Sequence, residues 1–101
     1  MTNEEFNDLI KKRIGLINNV LGIKAKEYAY GDRLSNFKRA AEIQHTAPEQ
    51  VCLNFFMKHF VSIQDMVESG RVYEEAQWRE KLGDAINYLI LLECIVLEAR
   101  E

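Results

Sequence analysis

Apolar side chains recur every three or four residues along almost the whole chain, and that rhythm leaves room for little but α-helix. Phe6, Leu9/Ile10, Ile14, Ile17, Val20/Leu21 and Ala25 keep the period from the start. Thr2 with Glu5 three residues later has capping-box spacing. Gly15 and Gly22 weaken this helix without ending it. Tyr30-Gly31-Asp32 reads as a turn, because Gly31 takes a left-handed conformation cheaply. Ser35 or Asp32 then caps a short helix carrying Leu34, Phe37, Ala40/Ala41 and Ile43. Thr46 suits the next N-cap, with Pro48 in the first turn and Glu49 three residues after the threonine. That helix runs to about Ser69 on a stripe of Leu53, Phe56/Met57, Phe60, Ile63 and Val67, with Gly70 as its stop. The last helix starts near Glu74 and continues almost to the end. No segment alternates in the manner of a strand. The expectation is an all-α bundle of three long helices and one short helix, a single domain over residues 1–101.

Composition narrows the function. A 48% hydrophobic content is ample for one core in 101 residues. The net charge of −3, with no long basic block, counts against nucleic acid, which is held mainly through its phosphates. Cys52 and Cys94 lie in apolar helical segments without CxxC spacing, and read as buried thiols. The polar start has no signal-peptide pattern, and the apolar stretch near the C-terminus is interrupted by Glu93. The expected setting is therefore cytoplasmic, with no membrane partner.

One stretch departs from the core-like pattern. At about 100° per residue, Glu80, Asp84 and Asn87/Tyr88 form one narrow stripe, which Leu91 and Ile95 continue. Glu75, Arg79, Glu93 and Arg100 lie roughly opposite Asp84. The carboxylates thus point where apolar residues point, and a charge there has to be neutralised, paired or coordinated. Two hard oxygen ligands one helical turn apart suit Mg²⁺, which often needs only one or two carboxylates plus substrate phosphates. The competing reading keeps Glu80 and Lys81 solvated, with Asp84 hydrogen-bonded to Tyr88 or a neighbouring helix. On the third helix Lys58, Ser62 and Asp65 share a line, with Lys58 suited to a phosphate and Asp65 to a metal; both also fit an exposed helix face. His59 has no second histidine at metal spacing and reads as packed or hydrogen-bonded. Tyr28 and Tyr30, beside Lys24 and Lys26, offer rings for a base. A P-loop and a GxGxxG motif are both absent.

The order Tyr30-Gly31-Asp32, Asn36-Phe37, Lys58-His59 with Ser62 and Asp65, and Glu80-Lys81-Leu82-x-Asp84-Ala-x-Asn87-Tyr88-Leu89 resembles a group of small phage and prophage proteins, some called nucleotide-modification-associated domains. These look like distant relatives of the MazG-like all-α nucleoside triphosphate pyrophosphohydrolases. The resemblance covers about residues 24–98. It implies a helical bundle that assembles as a dimer or higher homo-oligomer, holds Mg²⁺ on acids of two facing helices, and releases pyrophosphate from a nucleoside triphosphate. Carried over, it makes Glu80 and Asp84 the catalytic metal ligands, with Asp65 a supplement. It makes Lys58, Lys81, Asn87, Tyr28 and Tyr30 nucleotide contacts. The family's partner helix has two glutamates three residues apart, where this chain reads Lys58-His59-Phe60-Val61-Ser62. Its final-helix acids are three residues apart, against four here.

Two functions are therefore expected of such a chain. One is a phage-derived nucleotide-binding protein that hydrolyses a (deoxy)nucleoside triphosphate with Mg²⁺. The other is a non-catalytic helical module engaging a host or phage protein, favoured by the missing glutamates and by the apolar surface of Ala85–Val96, broken chiefly by Glu93.

Overall fold

The computed structural model describes residues 1–22 and 31–100, and every regular element among them is a helix. These are α1 (Asn3–Val20), α2 (Ser35–Gln44), α3 (Pro48–Glu68) and α4 (Glu75–Glu98), three long and one short as expected. No helix among the described residues is long and apolar enough to cross a membrane. The chain falls into two compact units, Met1–Gly31 and Asp32–Glu101.

In the first unit, Thr2 caps α1. Its hydroxyl oxygen accepts the Glu5 backbone N–H at 3.1 Å, while Glu4 and Glu5 place negative charge at the positive end of the helix. The helix closes earlier than its period suggests. Leu21 and Gly22 donate to the carbonyls of Ile17 and Asn18, at 2.8 and 3.0 Å, and the helical run stops at Val20. Gly22 therefore lies beyond the helix rather than within it. A Cβ there would stand 2.8 Å from the Asn18 carbonyl oxygen, so the closing turn needs glycine. No side chain of α1 is buried, and Phe6, Leu9, Ile10, Ile14 and Val20 are all exposed.

The first unit ends on Gly31, whose φ of +84° is the left-handed turn its sequence predicts, and Asp32 opens the second. Leu34, not Ser35 or Asp32, occupies the N-cap of α2. Asp32 serves one step earlier, its carboxylate accepting the Leu34 N–H at 2.9 Å. At the other end His45 turns left-handed at φ 55°, while the Thr46 N–H closes on the Ala41 carbonyl at 3.0 Å. That closure moves the start of α3. Thr46 stands in the turn that ends α2, Ala47 is the N-cap of α3 without a side-chain cap, and Pro48 is the first helical residue, where a missing N–H leaves no gap. Gly70, at φ +68°, follows the end of α3 as expected. Glu74 begins α4 with a capping box, its N–H donating to Gln77 Oε1 at 3.0 Å.

Packing of α2 on α3 and of α3 on α4 builds the core. Leu34, Cys52 and Ile95 lie at its centre, with Phe37, Tyr88, Leu91 and Leu92 around them. The Cys52 thiol donates to the Tyr88 carbonyl at 3.4 Å, and burial pushes its pKa up. Further along α3, His59 meets Asp84. The partner residues descend in number as α3 ascends, so α3 and α4 are antiparallel.

The face of α3 differs from the expected one by a single residue. Val51, Cys52 and Met66 are buried, and Phe56 and Ile63 of the expected stripe are half-buried beside His59, whereas Leu53, Met57, Phe60 and Val67 are exposed. Apolar residues surround most of this helix, so its periodicity does not by itself select a direction. Ile43 at the end of α2, expected in the core, is also exposed. Cys94 corrects the expectation of two buried thiols. Both cysteines are free, but Cys94 is exposed because its neighbour Ile95 takes the inward position.

Lys38 ties the two ends of this unit together, pairing with Asp32 at 2.5 Å and with Glu98 near the end of α4. The Lys38 ammonium, and then the Leu34 N–H, hold the Asp32 carboxyl below its ordinary 3.8. Asp32 and Glu98 raise Lys38 above 10.5. The Asp32 contribution is thus complete above pH 3.8 and is lost as pH falls through the lower native value. The Lys38 contribution is complete below 10.5 and is lost as pH rises through its native value. Thermal melts of Asp32→Asn beside the parent should differ slightly at neutral pH. The two curves should converge on the acid limb, and in high salt because the pair is solvent-exposed.

Candidate functional site

Where α3 and α4 pass each other beyond the core, the apolar seam becomes polar. Asp84 lies one turn before Tyr88 on α4, on the same side as Leu91 and Ile95, so it comes up against α3. Its carboxylate is 3.8 Å from His59 Nδ1, an ion pair whenever the imidazole is protonated. The His59 ring stacks on Tyr88 with centroids 5.1 Å apart and planes 25° from parallel. Phe55, one turn earlier on α3, stacks on the same tyrosine at 5.9 Å and 14°. Lys58 holds its ammonium 5.8 Å from the Phe55 centroid. A continuous series of contacts thus runs from Lys58 through Phe55, Tyr88 and His59 to Asp84.

Asn87 adds an unpartnered acceptor. Its side-chain oxygen is buried without a hydrogen-bond partner, the one such side-chain atom among the described residues. A buried carbonyl left without a donor costs about 1–3 kcal/mol relative to a satisfied one. Asn87 follows Asp84 by three residues, so the two share one side of α4.

The structure brings together only part of the set expected from the sequence. Asp84 lies at the seam, Asn87 is half-buried one turn further along α4, and Lys58 reaches the seam through Phe55. Glu80 is exposed one turn before Asp84, and Lys81 is half-buried beside it. Asp65 is exposed about 9 Å further along α3 than His59, as six residues of helical rise require. Among the described residues, no three His, Cys, Asp or Glu side chains are grouped to hold one metal ion. Tyr28 and Tyr30 lie outside the described residues.

His59 and Phe55 belong to the site although sequence reasoning assigned neither of them a role in it. The reading of His59 as a packed residue holds for its ring, and its Nδ1 faces Asp84 as well. The available signal was positional. His59 follows Phe55 by four residues, and both fall on the side of Cys52 once that residue is taken as the inward one.

At the other end of the α3–α4 pair, a shallow hollow lies among Leu34, Lys38, Pro48, Glu49, Ile95 and Glu98. Its rim charges are largely engaged with one another, since Lys38 pairs with Glu98. Compared with known proteins, the chain matches no family model, no curated protein and no solved structure.

Proposed function

We propose that the α3–α4 seam binds a nucleoside triphosphate, and that the protein is a MazG-like, phage-derived nucleotide-binding protein acting as a homo-oligomer. The observation that carries this reading is the buried Asn87 oxygen beside the Asp84–His59–Tyr88 cluster. If α3 and α4 part to admit a ligand, an exocyclic amine of a base or a sugar hydroxyl would give this oxygen the donor it lacks. Lys58 and Lys81 neutralise phosphate as point charges, and the Phe55–Tyr88 stack gives an aromatic wall.

The donor set suits a cation that arrives with its phosphates. Asp84 and Glu80 would supply two carboxylates, and Mg²⁺ commonly takes no more than this from the protein. Bound there, the ion would screen the triphosphate and stabilise charge on departing pyrophosphate. In the hydrolytic form of this reading, water adds to the α-phosphorus and the bond to the bridging oxygen breaks, giving a monophosphate and pyrophosphate. Asp65 is exposed on α3 because its neighbour Met66 takes the inward position, and stands as a supplementary contact only.

A panel of ribo- and deoxynucleoside triphosphates with Mg²⁺ tests the reading by product release and by thermal shift. Ligand at 100 times its Kd should stabilise the protein by about 2.7 kcal/mol. Absence of both product and shift across the panel would remove it. The second reading, a helical interaction module, is favoured by the exposed apolar residues of α1, α3 and α4. It predicts partner binding that survives Asp84→Asn.

A further inference from the structure

The hollow at the far end of the α3–α4 pair carries a charge that the fold does not use. Its floor is apolar, formed by the buried Leu34 and Ile95 with Pro48 and Ala99 beside them, and its volume is about 170 Å³. Three charged side chains line it as well: Lys38, Glu49 and Glu98. Lys38 donates to both Glu98 and Asp32, so the ammonium and the Glu98 carboxylate are occupied with each other. Glu49 is half-buried and makes no ion pair or side-chain hydrogen bond with any described residue. Negative charge in the first turn of α3 suits that helix, but it brings the carboxylate no counter-ion.

An occupant has to answer both halves of this surface. Phosphates and carboxylates are repelled, because the lining sets two carboxylates against one ammonium. A purely apolar group would cover the floor and take water from Glu49 without replacing it. A basic side chain meets both demands, since its methylene stem lies along the Leu34–Ile95 floor while its cationic head stays at the wet rim beside Glu49. A hollow of this volume takes one side chain and not a packed helix, so the residue has to be presented by an exposed segment. Four methylenes and one half-exposed ion pair give an isolated lysine a Kd of only about 1–10 mM. A polypeptide that holds the residue in place shares the loss of freedom with its neighbouring contacts, which favours a protein partner over a free amine.

We infer that this hollow is an anchor site for a lysine or arginine side chain on an exposed basic segment of a partner protein, with Glu49 as the group that pairs with it. The site lies about 15 Å along α3 from His59 and stands whether or not the seam binds a nucleotide. Residue-resolved NMR of the whole chain tests it, by titration with the blocked tripeptide acetyl-Gly-Lys-Gly-amide. The same peptide with norleucine or glutamate in place of lysine serves as comparison. The amides of Leu34, Glu49 and Ala99 should move together with a Kd of about 1–10 mM for the lysine peptide. The norleucine peptide should bind about 5-fold more weakly, and the glutamate peptide should leave these amides unmoved. Glu49→Gln should weaken the lysine peptide by about 5-fold without changing the melting temperature appreciably. Ala99→Phe, at the exposed end of α4, should fill the hollow and abolish the shifts. Equal binding of the lysine and norleucine peptides, undiminished binding by Glu49→Gln, or no saturable shift with the lysine peptide would each overturn the assignment.

Discussion

Ile95→Ala is expected to destabilise the second unit by about 2–4 kcal/mol, because the lost side chain lies at the meeting point of three helices. Ile95 is 5% exposed and packs with Leu34 from the head of α2 and Cys52 from α3. Around them stand Phe37, Tyr88, Leu91 and Leu92, all only partly buried. A core this small has few neighbours able to collapse into the space, so the cavity term adds to the loss of buried area. For a unit of this size the midpoint should fall by roughly 10–20 °C, measured at fixed protein concentration. Ile95→Val should cost about 0.5–1.5 kcal/mol. Ile43→Ala should change stability by less than about 0.5 kcal/mol, since Ile43 is 78% exposed. Equal losses at positions 43 and 95 would contradict this placement of the core.

Asp84→Asn is expected to have the largest effect on ligand binding while leaving the fold in place. The substitution keeps the shape of the side chain and removes its charge. It therefore deletes the carboxylate 3.8 Å from His59 without opening a cavity. Interactions of a charged group of this kind are worth about 1.5–3 kcal/mol, so affinity for a Mg²⁺–triphosphate should fall roughly 10- to 100-fold. Any turnover should fall at least as far. Glu80→Gln should cost much less, about 3-fold, because Glu80 is exposed and its contribution is shared with solvent. Isothermal titration of the two variants against the parent checks the order. If Glu80→Gln proves the more damaging, the centre of the site lies nearer the start of α4 than proposed.

Much of the fold was legible in the sequence because helices announce themselves locally. The Thr2 cap, the Gly31 turn, the Gly70 stop and the start of α4 beside Glu74 all depend on side chains within a few residues of one another. The errors came where one element borrowed from the next. Thr46 has the side chain of a cap for α3, but it stands in the turn that closes α2, and Ala47 takes the N-cap. The face of α3 was misjudged by one residue for a related reason. With Leu53, Met57 and Phe60 beside Cys52, Phe56 and Ile63, two adjacent stripes are equally apolar, and only the partner helices decide between them.

The candidate site divides in the same way. Asp84 and Asn87 could be placed from α4 alone, because Tyr88, Leu91 and Ile95 share their side and turn inward. The contributions from α3 could not, since they depend on that one-residue choice of face. Taking Phe60 as inward turns His59 aside, whereas taking Cys52 as inward turns Phe55 and His59 towards Tyr88. Asp65 has the right chemistry and lies on the right helix, but it is six residues beyond the level of Asp84 and is exposed, because its neighbour Met66 takes the inward position.

The central claim, that a nucleotide occupies the α3–α4 seam, is tested most directly by residue-resolved NMR. The protein would be titrated with a non-hydrolysable deoxynucleoside triphosphate and Mg²⁺. The seam account predicts that the Asn87 side-chain amide, the His59 ring and the Lys58 amide move together with a single Kd, while Leu53, Phe60 and the α1 stripe stay unmoved. Saturation with no change at Asn87 and His59, or changes confined to α1 or to the Leu53–Phe60 face, would contradict it.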